Sequence, residues 1–221
     1  MAKKVGVLLA GCGVMDGSEI HEATLTLYFL DKMGAETICM APDKEQADVV
    51  DHKAGAPAAE KRNVLVEAAR IARGKIRDLK SVKADELDAL IIPGGFGAAK
   101  NLCTFAGEGA ECKVDEGVAG LLRSMHAQKK PIGALCIAPA VLARLFGPDH
   151  HVELTIGTDR GTAAALESMG ARHRQASVSE IVVDEKNRVV TTPCYMTARG
   201  IAEVGAGAEK VVARILEMAR R

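Results

Sequence analysis

The chain has no tryptophan, and only two tyrosines and four phenylalanines among 221 residues. Base-stacking platforms for single-stranded nucleic acid need aromatic rings, so that class of partner is disfavoured at once. Charge of one sign is missing as well: 29 Lys plus Arg face 29 Asp plus Glu, for a formal net charge of zero. No basic run interleaved with aromatics offers a stripe to a phosphate backbone, and no nucleic-acid partner is expected. Long apolar runs are absent. None could span a bilayer, and Met1-Ala2-Lys3-Lys4-Val5 leads into a strand without an apolar h-region and cleavage site. These absences lead to the expectation of a cytoplasmic protein with no membrane partner. The six cysteines (Cys12, Cys39, Cys103, Cys112, Cys136, Cys194) form no CxxC pair and no Cys/His spacing suited to zinc. In a cytosolic chain of this size they are expected to be reduced thiols. The six histidines offer no metal-ligand spacing on one helix face.

What is present is a globular composition, 48% hydrophobic and 26% charged, enough for a full core. The length fits one α/β domain over residues 1–221. Continuous apolar runs at residues 4–10, 36–40, 88–93 and 131–135 read as strands buried on both faces. Helical patterns intervene: residues 18–33 with Ser18 as N-cap and Gly34 as stop, 64–73 capped by Asn63, and 115–128. Others run from Cys136 to about residue 145, and over 162–169 and 197–220. Residues 76–79 and 152–156 read as further strands, and residues 43–62 as an irregular insertion. Residues 181–183 and 189–191 bracket a hairpin near the C-terminus. Strand and helix in alternation predict a doubly wound, mostly parallel sheet with helices on both faces, and such sheets hold their sites beyond the strand carboxyl ends.

Three strand ends carry unusual chemistry. Leu135-Cys136-Ile137-Ala138-Pro139 reads as strand, cysteine, helix. Ala134 and Ala138 are small where a nucleophile elbow is crowded, and Pro139 suits a first helical turn. A thiol at a helix N-terminus is expected to have a depressed pKa. The bland reading is a buried structural cysteine. Gly94-Gly95-Phe96-Gly97 ends another strand, where bare backbone N–H groups, with that of Ile137, can face an oxyanion. A plain tight turn is the alternative. Glu22, one turn into the first helix, would have a raised pKa and could move a proton if it lay shielded beside Cys136; together with Glu19 it could equally serve only the helix dipole. His52, in the insertion, is a pocket-lining candidate. Gly11-Cys12-Gly13-Val14-Met15-Asp16 resembles a dinucleotide fingerprint with Asp43 downstream, but Asp16 stands where a third glycine belongs. A dinucleotide-dependent oxidoreductase stays open on these residues as the weaker reading.

Taken with Asp16-Gly17-Ser18-Glu19-Ile20-His21-Glu22, Ile91-Ile92-Pro93-Gly94-Gly95-Phe96-Gly97-Ala98-Ala99-Lys100-Asn101-Leu102 and Leu154-Thr155-Ile156-Gly157-Thr158-Asp159, the chain resembles the ThiJ/PfpI superfamily. Within it, the chain is most similar to the ElbB, or enhancing lycopene biosynthesis, group. The resemblance implies a flavodoxin-like, class I glutamine amidotransferase-like fold, a cofactor-free site and a homodimer. It implies Cys136 as nucleophile, Glu22 as its carboxylate partner, and Gly95 and Ile137 as oxyanion amides framed by Gly94 and Phe96. Asn101 joins His52 as a pocket candidate. The histidine that many members add is absent, because Ile137 and Gly157 occupy its two usual places. A Cys–Glu dyad remains. The activity implied is a glutathione-independent glyoxalase acting on a small aldehyde substrate. The alternative from another class is a non-catalytic redox-sensing or binding protein with an oxidisable Cys136.

Overall fold

Short apolar runs flanked by glycine become buried strands here, and the computed structural model describes residues 2–220 of the chain. Met1 and Arg221, the ends of the expected 1–221 domain, lie outside the described residues. The chain runs β1 (Lys4–Leu8), α1 (Ile20–Lys32), β2 (Glu36–Ala41), a small hairpin of β3 (Val50–Asp51) and β4 (Ala56–Pro57), α2 (Val64–Ile71), β5 (Ile76–Asp78) and β6 (Ala89–Ile92). It continues through α3 (Phe96–Lys100), the single turn α4 (Phe105–Glu108), α5 (Glu116–Ala127), β7 (Ile132–Leu135), α6 (Pro139–His150), β8 (Glu153–Leu154) and α7 (Arg160–Ser168). It closes with β9 (Arg172–His173), β10 (Val182–Asp184), β11 (Val189–Thr192) and α8 (Ile201–Met218). The main sheet has the order β10-β11-β7-β6-β1-β2-β5. All its pairings are parallel except the β10–β11 hairpin. This is the doubly wound, flavodoxin-like sheet.

Alternate residues of each strand serve opposite faces. On one side Leu8, Leu90, Ile92 and Ile132 pack with Val118, Leu122 and Met125 of α5 and Val141 and Phe146 of α6. On the other, Val5, Val7, Ile91 and Val190 pack with Ala23 and Leu30 of α1, Ala68 of α2, and Val211 and Ile215 of α8. From β1 the chain winds outward to β2 and β5, then returns to place β6 on the other side of β1. The crevice beyond the β1 and β6 carboxyl ends is therefore the topological switch point, with β7 next to it.

Several boundaries differ from the sequence expectation. Helix α1 is capped by Glu19, whose Oε2 accepts the Glu22 N–H at 2.7 Å. Ser18 turns inward, and its Oγ accepts the Ala10 N–H at 2.8 Å. Helix α6 runs past residue 145 and through Pro148, ending on left-handed His151. Helix α8 begins at Ile201, because Cys194–Met196 form a separate 3-10 turn and Gly200 is extended. The strand expected at 152–156 pairs with β9 in a small sheet of its own.

Candidate active site

Cys136 sits on a tight corner between β7 and α6 with φ +59°, the left-handed region that costs a residue with a Cβ roughly 1–2 kcal/mol. The corner is held by the Cys136 N–H on the Thr192 carbonyl and the Ala138 N–H on the Leu135 carbonyl, each at 3.0 Å. Ala134 and Ala138 are fully buried, and Pro139 opens the helix. Cys136 as a whole residue is buried, 8% exposed.

Glu22 reaches this corner from the first turn of α1 and is completely buried. Its Oε2 accepts the Gly94 N–H at 2.9 Å, its Oε1 accepts the Tyr195 N–H at 3.2 Å, and the carboxyl lies beside the Cys136 thiol, which favours its charged form. Burial, then the Glu19 carboxylate, push the Glu22 carboxyl up to about 8, against the pull of those two N–H groups and the thiol. The Cys136 thiol also moves up, well above its usual value. Burial is the main cause and the Glu22 charge the second, opposed by N–H groups of Gly95 and Ile137 that point at the sulfur. The expectation of a depressed thiol pKa is therefore corrected: removal from water outweighs the helix dipole. The pair resists carrying charge, and near neutrality Glu22 keeps a proton that an exposed carboxyl would lose.

Glu22 also makes stability depend on pH. Its folded pKa lies above the ordinary 4.5, so its stabilising contribution is complete below about pH 4.5 and is lost as pH rises through about 8. Urea unfolding across that window is expected to show wild type losing stability relative to Glu22→Gln as pH rises. A constant difference would mean that the carboxyl is not buried as described.

Gly94 leaves no room for a side chain. A Cβ there would lie 2.4 Å from the Cys136 Cβ and 2.8 Å from Glu22 Oε2. Gly94→Ala is thus expected to separate the pair and to cost about 1–3 kcal/mol from overpacking. Thermal unfolding together with the Cys136 alkylation rate reads both effects, and an unshifted melt with unchanged alkylation would contradict this packing. Gly95, at φ +92°, brings its amide to the sulfur. Phe96 donates its N–H to the Val14 carbonyl at 2.7 Å and leaves its ring 53% exposed, with Lys100 Nζ 5.8 Å from the ring centre.

The two pocket candidates both brace loops through hydrogen bonds. Asn101 is buried; both its amide protons are committed, to the Ala10 and Asp16 carbonyls at 2.9 Å each, while its Oδ1 accepts the Ala47 N–H. His52 accepts the Met15 N–H on Nε2 at 3.1 Å and pairs through Nδ1 with the Val50 carbonyl at 3.0 Å. Both tie residues 47–52 to the loop at 11–17. That loop does not open a helix. Gly17 returns its N–H to the Gly13 carbonyl, and buried Asp16 accepts the Val50 N–H at 2.9 Å. Asp16 thus puts a carboxylate where a pyrophosphate would lie, which counts against dinucleotide binding.

Sequence reasoning did not find Tyr195 and Cys194. Tyr195 gives its N–H to Glu22 and its hydroxyl lies 2.7 Å from His21 Nδ1. Cys194, also left-handed at φ +44°, is buried, and its thiol pKa is raised by burial and then by the Glu22 charge. The one available signal was position: both follow the carboxyl end of β11, the strand beside β7. Among the described residues, no group of three or more His, Cys, Asp or Glu is placed to hold a metal ion.

A sequence profile of the DJ-1/PfpI family matches residues 7–204. The human protein named glutamine amidotransferase-like class 1 domain-containing protein 3, mitochondrial, is 46% identical over 98% of this chain and 84% of its own length. The zebrafish ES1 protein, mitochondrial, is 36% identical over 87% of this chain and 76% of its own. The crystal structure of an isoprenoid biosynthesis protein with amidotransferase-like domain from Ehrlichia chaffeensis superposes with a TM-score of 0.91. It is 37% identical and covers 97% of this chain and 99% of that one. Both curated relatives are named mitochondrial proteins, which overturns the cytoplasmic expectation. That expectation rested on segments the sequence lacks, and such absences do not report a compartment. Among the described residues no helix is long and apolar enough to cross a membrane.

Proposed function

The chain belongs to the DJ-1/PfpI family, within the ThiJ/PfpI superfamily, and from that premise we propose that it is a cofactor-independent glyoxalase converting glyoxal to glycolate. One observation carries the reading: the buried Glu22 carboxyl lies beside the Cys136 thiol, and the Gly95 and Ile137 N–H groups favour negative charge on the same sulfur. As sulfur adds to one aldehyde carbon, the thiol proton passes to Glu22. The new oxyanion, held by those amides, takes that proton back from Glu22, which leaves a neutral hemithioacetal and an ionised Glu22. Glu22 then moves a proton from that carbon to its neighbour through an enediolate, leaving a thioester of glycolate. Water cleaves the thioester and restores the thiol, so glyoxal plus water gives glycolic acid. A carboxyl near 8 suits this work, since a general base acts best with a pKa close to the operating pH.

The active state needs Glu22 ionised, so kcat/KM for glyoxal is expected to rise with pH and level off above about 8. Initial rates of glycolate formation, without glutathione, check this; a rate that falls from acid to neutral pH would count against Glu22 as the base. The rival reading is a redox sensor in which the same two amides hold the oxygens of an oxidised Cys136. Slow, unsaturable glyoxal loss beside ready peroxide oxidation of Cys136 would favour it. The raised thiol pKa counts against that reading, because peroxide reacts with thiolate. We carry a mitochondrial setting over from the relatives' names, and a homodimer as the assembly, which light scattering in solution tests.

A further inference from the structure

Residues 104–111 leave the body of the protein as a mostly exposed excursion. Its neck is a short antiparallel bridge: Cys103 faces Val114, the Thr104 N–H meets the Lys113 carbonyl at 3.0 Å, and the Lys113 N–H returns to Thr104 Oγ1 at 2.9 Å. In such a bridge residues two apart share a face, so Cys112, two before Val114, points the same way as Cys103. That face is inward. Both cysteines are buried in the core beneath α5 and α6, close enough for each thiol to perturb the titration of the other. Cys103 Sγ also lies 3.4 Å from the Ala98 carbonyl of α3, and Cys112 Sγ 3.9 Å from Met169 Sδ.

Cys112 is fully buried and Cys103 is 3% exposed, so a peroxide reaches them only through a local opening. Cys112 forms part of the wall of a cleft of about 630 Å³ shared with Lys113, Glu116, Arg123, Arg144 and Asp149. Lys113, Arg123 and Arg144 enter no ion pair among the described residues. The cleft side of the pair carries the Arg144 cation, which favours a thiolate at Cys112, while burial holds the Cys103 thiol protonated. An attacking thiol and a proton-holding partner are what thiol oxidation requires.

We propose that Cys103 and Cys112 form a redox-convertible dithiol, which a peroxide entering the cleft beside Arg144 oxidises to a disulfide across the neck of the 104–111 excursion. The Cys112 thiolate attacks one peroxide oxygen, the O–O bond breaks, and Cys112 becomes a sulfenic acid as one water leaves. The Cys103 sulfur then attacks the Cys112 sulfur. The S–O bond breaks, the S–S bond forms, and the hydroxide leaves with the Cys103 proton as a second water. Two thiols lose two electrons and two protons, and the peroxide is reduced to two waters. Cys103 then has no proton to share with Ala98.

Residues 101–113 are one tryptic peptide holding both cysteines and no other, since Lys100 and Lys113 bound it. Intact protein treated with graded hydrogen peroxide, alkylated, digested and weighed is expected to give this peptide two hydrogens lighter and unalkylated. Dithiothreitol is expected to restore two alkylation sites. Arg144→Ala should slow the conversion several-fold, and Cys103→Ser should stop at a Cys112 sulfenic acid that dimedone captures. A peptide still doubly alkylated at doses that oxidise another cysteine of the chain would overturn the proposal, independently of any variant. An unchanged rate in Arg144→Ala would overturn the cleft as the point of entry.

Discussion

Cys136→Ser is expected to abolish glyoxal turnover while leaving the fold in place. The hydroxyl oxygen can accept the Gly95 and Ile137 N–H groups as the sulfur does, and the change in volume is small. The corner at φ +59° depends on backbone bonds to Thr192 and Leu135, which the substitution does not touch. What is lost is a nucleophile whose proton the buried Glu22 can remove. Deleting a nucleophile that acts as a unit with its base costs on the order of 10⁶-fold in kcat, which for this reaction means no detectable glycolate. The check is a pair of measurements on one preparation: a thermal melt close to wild type, and glycolate formation at background. Retained turnover in a folded Cys136→Ser protein would remove the sulfur from the mechanism.

Glu22→Gln is expected to lower kcat by about 10²–10⁴-fold, the usual worth of a positioned acid or base. It should also remove the alkaline rise in rate, since the group near 8 is gone. Glutamine keeps one acceptor. Gly94 and Tyr195 each present an N–H to Glu22, so the new amide NH₂ must face one of these donors. That mismatch costs about 1–3 kcal/mol, partly offset above neutrality because no charge need be buried. The altered pH profile separates a proton-moving role from a bracing one. A variant that slowed turnover yet kept the wild-type profile would show Glu22 to be a brace alone.

How much of this the sequence allowed follows from where each signal lay. Runs such as Ala89-Leu90-Ile91-Ile92 announced buried parallel strands because no polar residue interrupts them, and the elbow at Cys136 was legible because strand, small residue and Pro139 fall at fixed offsets. Helix starts were less legible. Ser18 and Glu19 both have capping side chains, and only the inward turn that gives Ser18 to the Ala10 N–H decides between them. The direction of the Cys136 pKa was misread because the helix dipole is a local feature visible in sequence, whereas desolvation depends on everything packed around the sulfur. Tyr195 approaches Glu22 across 173 positions. No local pattern marks it; only the strand order that sets β11 beside β7 does. Asn101 and His52 looked like pocket residues from position and type. The structure uses both as clips, because the loop at 11–17 leaves carbonyls and amides that need partners.

The most direct test follows carbon-13-labelled glyoxal by NMR with the purified protein in large molar deficit, without glutathione. Many equivalents of labelled glycolate per protein molecule are predicted, with an initial rate that saturates as the aldehyde concentration rises. A reaction that stops at one label per chain, bonded to Cys136 and never released as glycolate, would contradict the account.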